Sequence, residues 1–163
     1  MRRSSALALV LAVAFLALAT WHYWPGDERE IRRRLEDFTS EFNESTADGI
    51  GTVARAARLG SYFSDGVVVE FGAGSPPIRG RETLVGVAAR LQPRTAAFAM
   101  ELKDVNVAVG DGGVAEVNLT AVFRRRSMAT GEESLDAREF TLGMVKTSGE
   151  WEVNRVTAID TLK

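Results

Sequence analysis

Hydrophobic and polar positions change their spacing along the chain. From Ser4 to Trp24 no residue carries a formal charge unless His22 is protonated. From Asp27 the spacing becomes helical, with Ile31, Leu35, Phe38 and Phe42 at i, i+4, i+7 and i+11, which predicts a first helix with one buried stripe. Arg32, Arg33 and Arg34 mix with Glu28, Glu30 and Glu36 on the other faces and read as solvated helix surface. Asp27 and Glu30, behind Pro25-Gly26, stand where an N-cap and an N3 carboxylate belong. Asn43 to Gly49 breaks the pattern. Asp48 is then placed to cap a second helix carrying Ile50, Val53, Ala54 and Ala57, which ends near Leu59-Gly60.

The β-branched run Val67-Val68-Val69-Glu70-Phe71 predicts a short strand closed by Gly72 to Pro77. Gly80 to Leu91 returns to helical spacing through Leu84, Val87, Ala88 and Leu91, and Pro93 stops it. From Ala97 the period is two. Val105, Val107 and Val109 alternate with Asp104, Asn106 and Ala108 up to the turn Gly110-Asp111-Gly112-Gly113. Val117, Leu119, Ala121 and Phe123 alternate next; Phe140, Leu142 and Met144 follow, and Ser148-Gly149 leads into a last strand from Trp151 to Ile159. Helices first and an antiparallel meander after them predict an α+β domain, with about three helices packed on one face of a strongly bent sheet.

The uncharged leader changes the picture of location. Its 21 residues span about 31 Å as a helix, close to the hydrocarbon thickness of a bilayer. Arg2 and Arg3 put its start in the cytoplasm, and Trp21, Tyr23 and Trp24 fall where an interfacial aromatic belt belongs. Residues 1–24 are therefore expected to be a single-pass anchor, with residues 25–163 as one domain on the periplasmic or extracytoplasmic side of a bacterial inner membrane. The rival reading is a cleaved signal peptide, for which Ala17-Leu18-Ala19 supplies the small-x-small pattern.

Composition removes whole classes of chemistry. The chain of 163 residues is 45% apolar and 26% charged, ordinary for one globular domain. Its formal charge of −2 gives no footprint for nucleic acid. Cysteine is absent and His22 is the single histidine, so disulfides, thiolate chemistry and histidine-based triads are excluded from the body. No Gly-rich phosphate loop follows a strand and opens a helix. Neither a cofactor nor a metal is expected.

Tyr62-Phe63-Ser64-Asp65-Gly66-Val67, the helix entry Pro77-Ile78-Arg79-Gly80-Arg81-Glu82 and the hairpin Lys146-Thr147-Ser148-Gly149-Glu150-Trp151-Glu152-Val153 together resemble the NTF2-like, or SnoaL-like, superfamily. The resemblance covers roughly residues 27 to 160 and implies a cone-shaped α+β fold, one that hosts isomerases, cyclases, dehydratases and non-catalytic binding modules. Locally the chain is similar to ketosteroid isomerases, in which a general-base Asp follows a Val-Glu pair. Here Phe71 follows Val69-Glu70 and cannot accept a proton, and the first helix offers Phe38 and Phe42 where those isomerases carry a Tyr.

Candidate pocket residues are Tyr62, Glu70, Phe71, Asp104, Asn118 and Trp151. Tyr62 and Trp151 have apolar bodies and polar tips, which suit a pocket wall or ordinary core. Glu116, Asn118 and Thr120 form one polar row that would line a wet cavity or cover a solvated sheet face. Arg124-Arg125-Arg126 alternates faces and cannot make a single patch. The expected role is a non-catalytic, anchored or exported module that binds a small hydrophobic ligand, an envelope protein partner or its own copy as a homodimer. The alternative is a SnoaL-like enzyme with a buried carboxylate, Asp104 or Glu70, as general base and Tyr62 as donor.

Overall fold

The computed structural model describes residues 26–44, 49–72, 74–91, 96–127 and 130–159. The leader, Asp48 and Pro93 lie outside these residues, and so do the expectations placed on them. Three helices precede the meander as the spacing predicts: α1 (Asp27–Asn43), α2 (Gly49–Gly60) and α3 (Arg81–Leu91). The strands are β1 (Phe63–Glu70), β2 (Ile78–Arg79), β3 (Ala96–Val109), β4 (Val114–Ser127), β5 (Glu133–Thr147) and β6 (Glu150–Ile159). They form one curved sheet in the order β2-β1-β6-β5-β4-β3, antiparallel except where β1 runs parallel to β6. The expected α+β cone is the observed one.

The alternation in β4 and β5 builds the concave face. Ala115, Val117, Leu119 and Ala121 of β4 are buried, and Leu142 and Met144 of β5 pair with Val117 and Ala115. Ile31 and Leu35 of α1 close over them, with Trp151 and Val153 of β6 completing the core. Fully burying side chains of this size contributes about 1.5–3 kcal/mol each. Glu116 and Asn118 point to the opposite, convex face and are exposed.

Several details differ from the sequence expectations, each for a local reason. Asp27 is the first helical residue; Gly26 is the N-cap and makes no side-chain cap bond. The Asp27 carboxylate is instead taken by the sheet. In α2, Ala54 and Ala57 are exposed and Ala56 is buried, so the helix turns a different edge inward. β1 starts at Phe63 and ends before Phe71, because the Val153 N–H donates to the Tyr62 carbonyl at 2.9 Å and brings this segment onto β6. The two-residue β2 pairs with β1 and carries no sequence signal of its own.

Two bulges interrupt the period of two. In β6, Gly143 pairs with Arg155 and Met144 with Val153, so Asn154 is the extra residue. The inward set consequently switches from Trp151 and Val153 to Val156 and Ala158. Gly143 makes room for this, because a Cβ there would sit 2.7 Å from Asn154 Oδ1. In β3 the register shifts between Lys103 and Asn106, and Asp104 adopts φ +52°.

β3 is the edge strand, and α1 covers part of its free edge. Arg32 Nη1 donates to the Val105 carbonyl at 2.9 Å. The Asn43 amide takes both backbone groups of Met100, donating to its carbonyl at 2.8 Å and accepting from its N–H at 2.7 Å. The side chain acts there as one residue of an added strand, satisfying groups that otherwise template edge pairing.

The left-handed backbone at Asp104 predicts opposite effects of two substitutions. Asp104→Val, β-branched at positive φ, should cost about 1–3 kcal/mol, whereas Asp104→Gly should hold or raise stability. Denaturant unfolding of the two variants beside the parent chain measures the difference.

Candidate functional site

At one end of the cone the first turn of α1, the β3–β4 turn and the β5–β6 turn come together. Lys146 Nζ lies 2.7 Å from Asp27 Oδ1 and 2.7 Å from Glu30 Oε2. Trp151 Nε1 donates to the same Asp27 oxygen at 3.3 Å, and the ammonium stands 5.7 Å from the indole centroid. The hydrogen bond from Lys146 holds the Asp27 carboxyl below its ordinary range, and the two carboxylates raise Lys146. The Lys146 N–H donates to the Gly113 carbonyl at 2.8 Å, which ties in the β3–β4 turn. This end is closed by charge and by Trp151.

Beside it runs a shallow groove of about 210 Å³ between α1 and the β5–β6 turn, lined by Glu30, Arg33, Arg34, Asp37, Gly149, Glu150 and Trp151. Arg34 crosses it, stacking 4.4 Å from the Tyr62 ring centroid, donating to the Ser61 carbonyl at 3.0 Å and pairing with Glu150 at 3.5 Å. Tyr62 packs edge-on to Phe38 at 5.3 Å, and burial pushes its phenol up. The groove is lined mostly by charged groups, of which Arg34 pairs with Glu150 and Glu30 with Lys146.

The sequence-named residues do not converge. Tyr62 and Trp151 border the closed end from two sides. Glu70 lies on the convex face, where Arg155 Nη1 reaches both its oxygens at 3.2 Å and Thr157 Oγ1 donates at 3.2 Å. Asn118, also convex, accepts from Thr141 Oγ1 at 2.7 Å. Phe71 is 44% exposed just past β1, and Asp104 sits exposed in the β3 bulge. Glu70 and Asp104 are therefore not buried, as the enzyme alternative required of a general base. Among the described residues no polar or charged side chain is fully buried, and no cluster of three acids or histidines has metal-binding geometry.

The opposite end of the sheet has a different character. α1 ends at Asn43 beside Met100; α2 rests on α1 and α3, and α3 on β1 and β2. α1 thus reaches the sheet as far as the Met100 row, and β3, β4 and β5 continue beyond it. Their concave side carries Leu102, Phe123 and Phe140, with Val156 of β6 beside them, all partly buried against the core. Strand register continues this face outward in rows: Leu102, Ala121 and Arg138; Met100, Phe123 and Asp136; Phe98, Arg125 and Ser134. Phe98 is 41% exposed, and Arg138 Nε donates to Asp136 Oδ2 at 3.2 Å.

Sequence reasoning missed these rim residues although a signal existed. Stepping back by two from Met144, Leu142 and Phe140 gives Arg138 and Asp136, and stepping forward from Phe123 gives Arg125. The Asp27–Lys146–Trp151 cluster had no such signal, since Asp27 lies more than a hundred positions from both of its partners.

No protein-family model matches the chain, and no curated protein matches it in sequence. Solved structures match its fold. A Novosphingobium aromaticivorans protein provisionally described as a scytalone dehydratase superposes with a TM-score of 0.66 at 14% identity, covering 83% of this chain and 85% of that one. An NTF2-like protein with a cystatin-like fold from the same organism gives 0.63 at 15% identity, covering 99% and 94%. A Streptomyces avermitilis protein provisionally described as a dehydratase of the NTF2-like family gives 0.66 at 18% identity, covering 84% and 98%. The chain has the NTF2-like fold. Within that fold, the end at the α1 N-terminus is closed by an ion cluster, and among the described residues the other end carries apolar concave side chains bordered by Arg125, Asp136 and Arg138.

The closed-end cluster sets a pH dependence. The lowered Asp27 carboxyl contributes stability above its unfolded value, near 3.8, that is lost as pH falls through the lower folded value. Lys146→Met should therefore lower the thermal midpoint at pH 7. The gap from the parent chain should narrow as pH falls from 3.8 through the lower folded value of Asp27, below which the carboxyl is protonated in both chains. Thermal scans of both chains from neutral pH to pH 2 check this.

Proposed function

We propose that this chain handles a small apolar molecule at the open end of its cone. The observation that carries the reading is the wall formed by Leu102, Phe123, Phe140 and Val156, which continues from the core, past the end of α1 at Asn43, to an exposed rim at Phe98. Apolar concave surface with a few polar groups at its border is the usual make-up of a small-molecule site. The closed end supplies polar, mutually paired groups instead.

Within this reading the comparisons favour a small-molecule enzyme over a purely structural module, because two of the neighbours carry dehydratase descriptions. The carboxylate that register puts on this wall is Asp136, exposed and paired with Arg138. The binding-module reading draws on the absence of a buried acid or base among the described residues. We further propose that the leader tethers the domain outside the cytoplasm. The helix that follows it begins at the closed end and runs about 25 Å toward the rim, so a tethered cone opens away from the membrane.

Native mass spectrometry of the full chain, purified from its own host, tests the proposal. A defined small-molecule adduct is expected, and Phe98→Asp at the exposed rim should reduce its occupancy. Two adducts differing by one water would assign the dehydratase branch, and a single species the binding branch. A protein that carries nothing in the native spectrum, parent and variant alike, would contradict the reading.

A further inference from the structure

The polar groups at the rim say what kind of molecule the open end takes. This step rests on the small-molecule reading above and adds a ligand class to it. Arg125 is exposed on β4 and pairs in register with the exposed Phe98, so the two residues are cross-strand neighbours at the mouth. Cross-strand neighbours of this kind have Cβ atoms about 4.5–5.5 Å apart. The other arginine of this wall, Arg138, is engaged by Asp136 at 3.2 Å, and the two charges offset each other. Among the described residues no carboxylate lies within ion-pair distance of Arg125, whereas Arg126, its convex-side neighbour, reaches Glu133 at 4.0 Å. Among the described residues the mouth therefore carries one unmatched positive charge, planar and suited to a two-point contact.

Behind that charge the wall is apolar. The row of Met100 and Phe123 lies one strand repeat further in, and the row of Leu102 and Ala121 one more, each step about 7 Å. The geometry points to an amphipathic monoanion, a ligand with an apolar or aromatic body of one or two such steps and a single carboxylate that Arg125 holds at the rim. Arg124, on the convex face, is excluded from this role by strand alternation.

Isothermal titration calorimetry of the full chain with 4-phenylbutyrate, 4-phenylbutanol and 4-phenylbutylamine, at one fixed ionic strength, tests the assignment. The three probes share a body and differ only in the terminal group. The acid should bind about 10- to 100-fold more tightly than the alcohol, with the amine weakest. Arg125→Gln should bring the acid down to the affinity of the alcohol and leave the alcohol unchanged. Arg124→Gln should change neither, and both variants should keep the parent thermal midpoint because both side chains are exposed. Equal binding of acid and alcohol would overturn the carboxylate assignment and leave the small-molecule reading standing. An acid preference that survives Arg125→Gln, or is lost equally in Arg124→Gln, would overturn the role of Arg125. Failure of all three probes to bind a chain that also carries no native adduct would overturn both.

Discussion

Lys146 sits between two carboxylates of the first turn of α1, and at the other end of that helix Asn43 holds the backbone of Met100 on the sheet edge. These polar contacts fix where the helix lies. Ile31 and Leu35 supply the apolar burial between them, over Val117, Leu119 and Met144. Burial alone is non-directional and would tolerate a helix slid along the concave face. The ion cluster and the amide clamp are directional, so they set the register of helix on sheet and decide which end of the cone is sealed.

The consequence for function is an asymmetry between the two ends. At the sealed end the polar groups answer one another: Lys146 with Asp27 and Glu30, Arg34 with Glu150, Ser61 and the Tyr62 ring. At the other end the sheet runs past α1, and its described concave side chains are Phe98, Met100, Leu102, Phe123 and Phe140 with Arg125, Ser134 and the Asp136–Arg138 pair. On the convex face Glu70 pairs with Arg155 and Asn118 with Thr141.

Much of the fold was legible from spacing. The stripe Ile31, Leu35, Phe38 and Phe42 marked α1, and alternation through Val117, Leu119 and Ala121 marked the inner face of β4, because both periods follow directly from helix and strand geometry. Bulges were not legible. Asn154 shifts the inward set of β6 by one, and Asp104 takes a left-handed backbone, through pairings that depend on a neighbouring strand. The Asp27 carboxylate was read as a cap for its own helix because local spacing offers that partner, while its actual partners lie on β5 and β6. Site residues were chosen for polarity one at a time, which drew Glu70 and Asn118 from the convex face. Following the alternation of β4 and β5 past Phe123 and Phe140 would have led to the rim.

Hydrogen exchange of the full chain with and without 4-phenylbutyrate locates the bound molecule on the sheet. Added protection is expected in Phe98–Leu102, Ala121–Arg125 and Asp136–Phe140, with Glu30–Asp37 and Gly149–Trp151 unchanged. Protection gained at the α1 groove beside Arg34 and Glu150, with the rim unaffected, would contradict this expectation and move the site to the closed end.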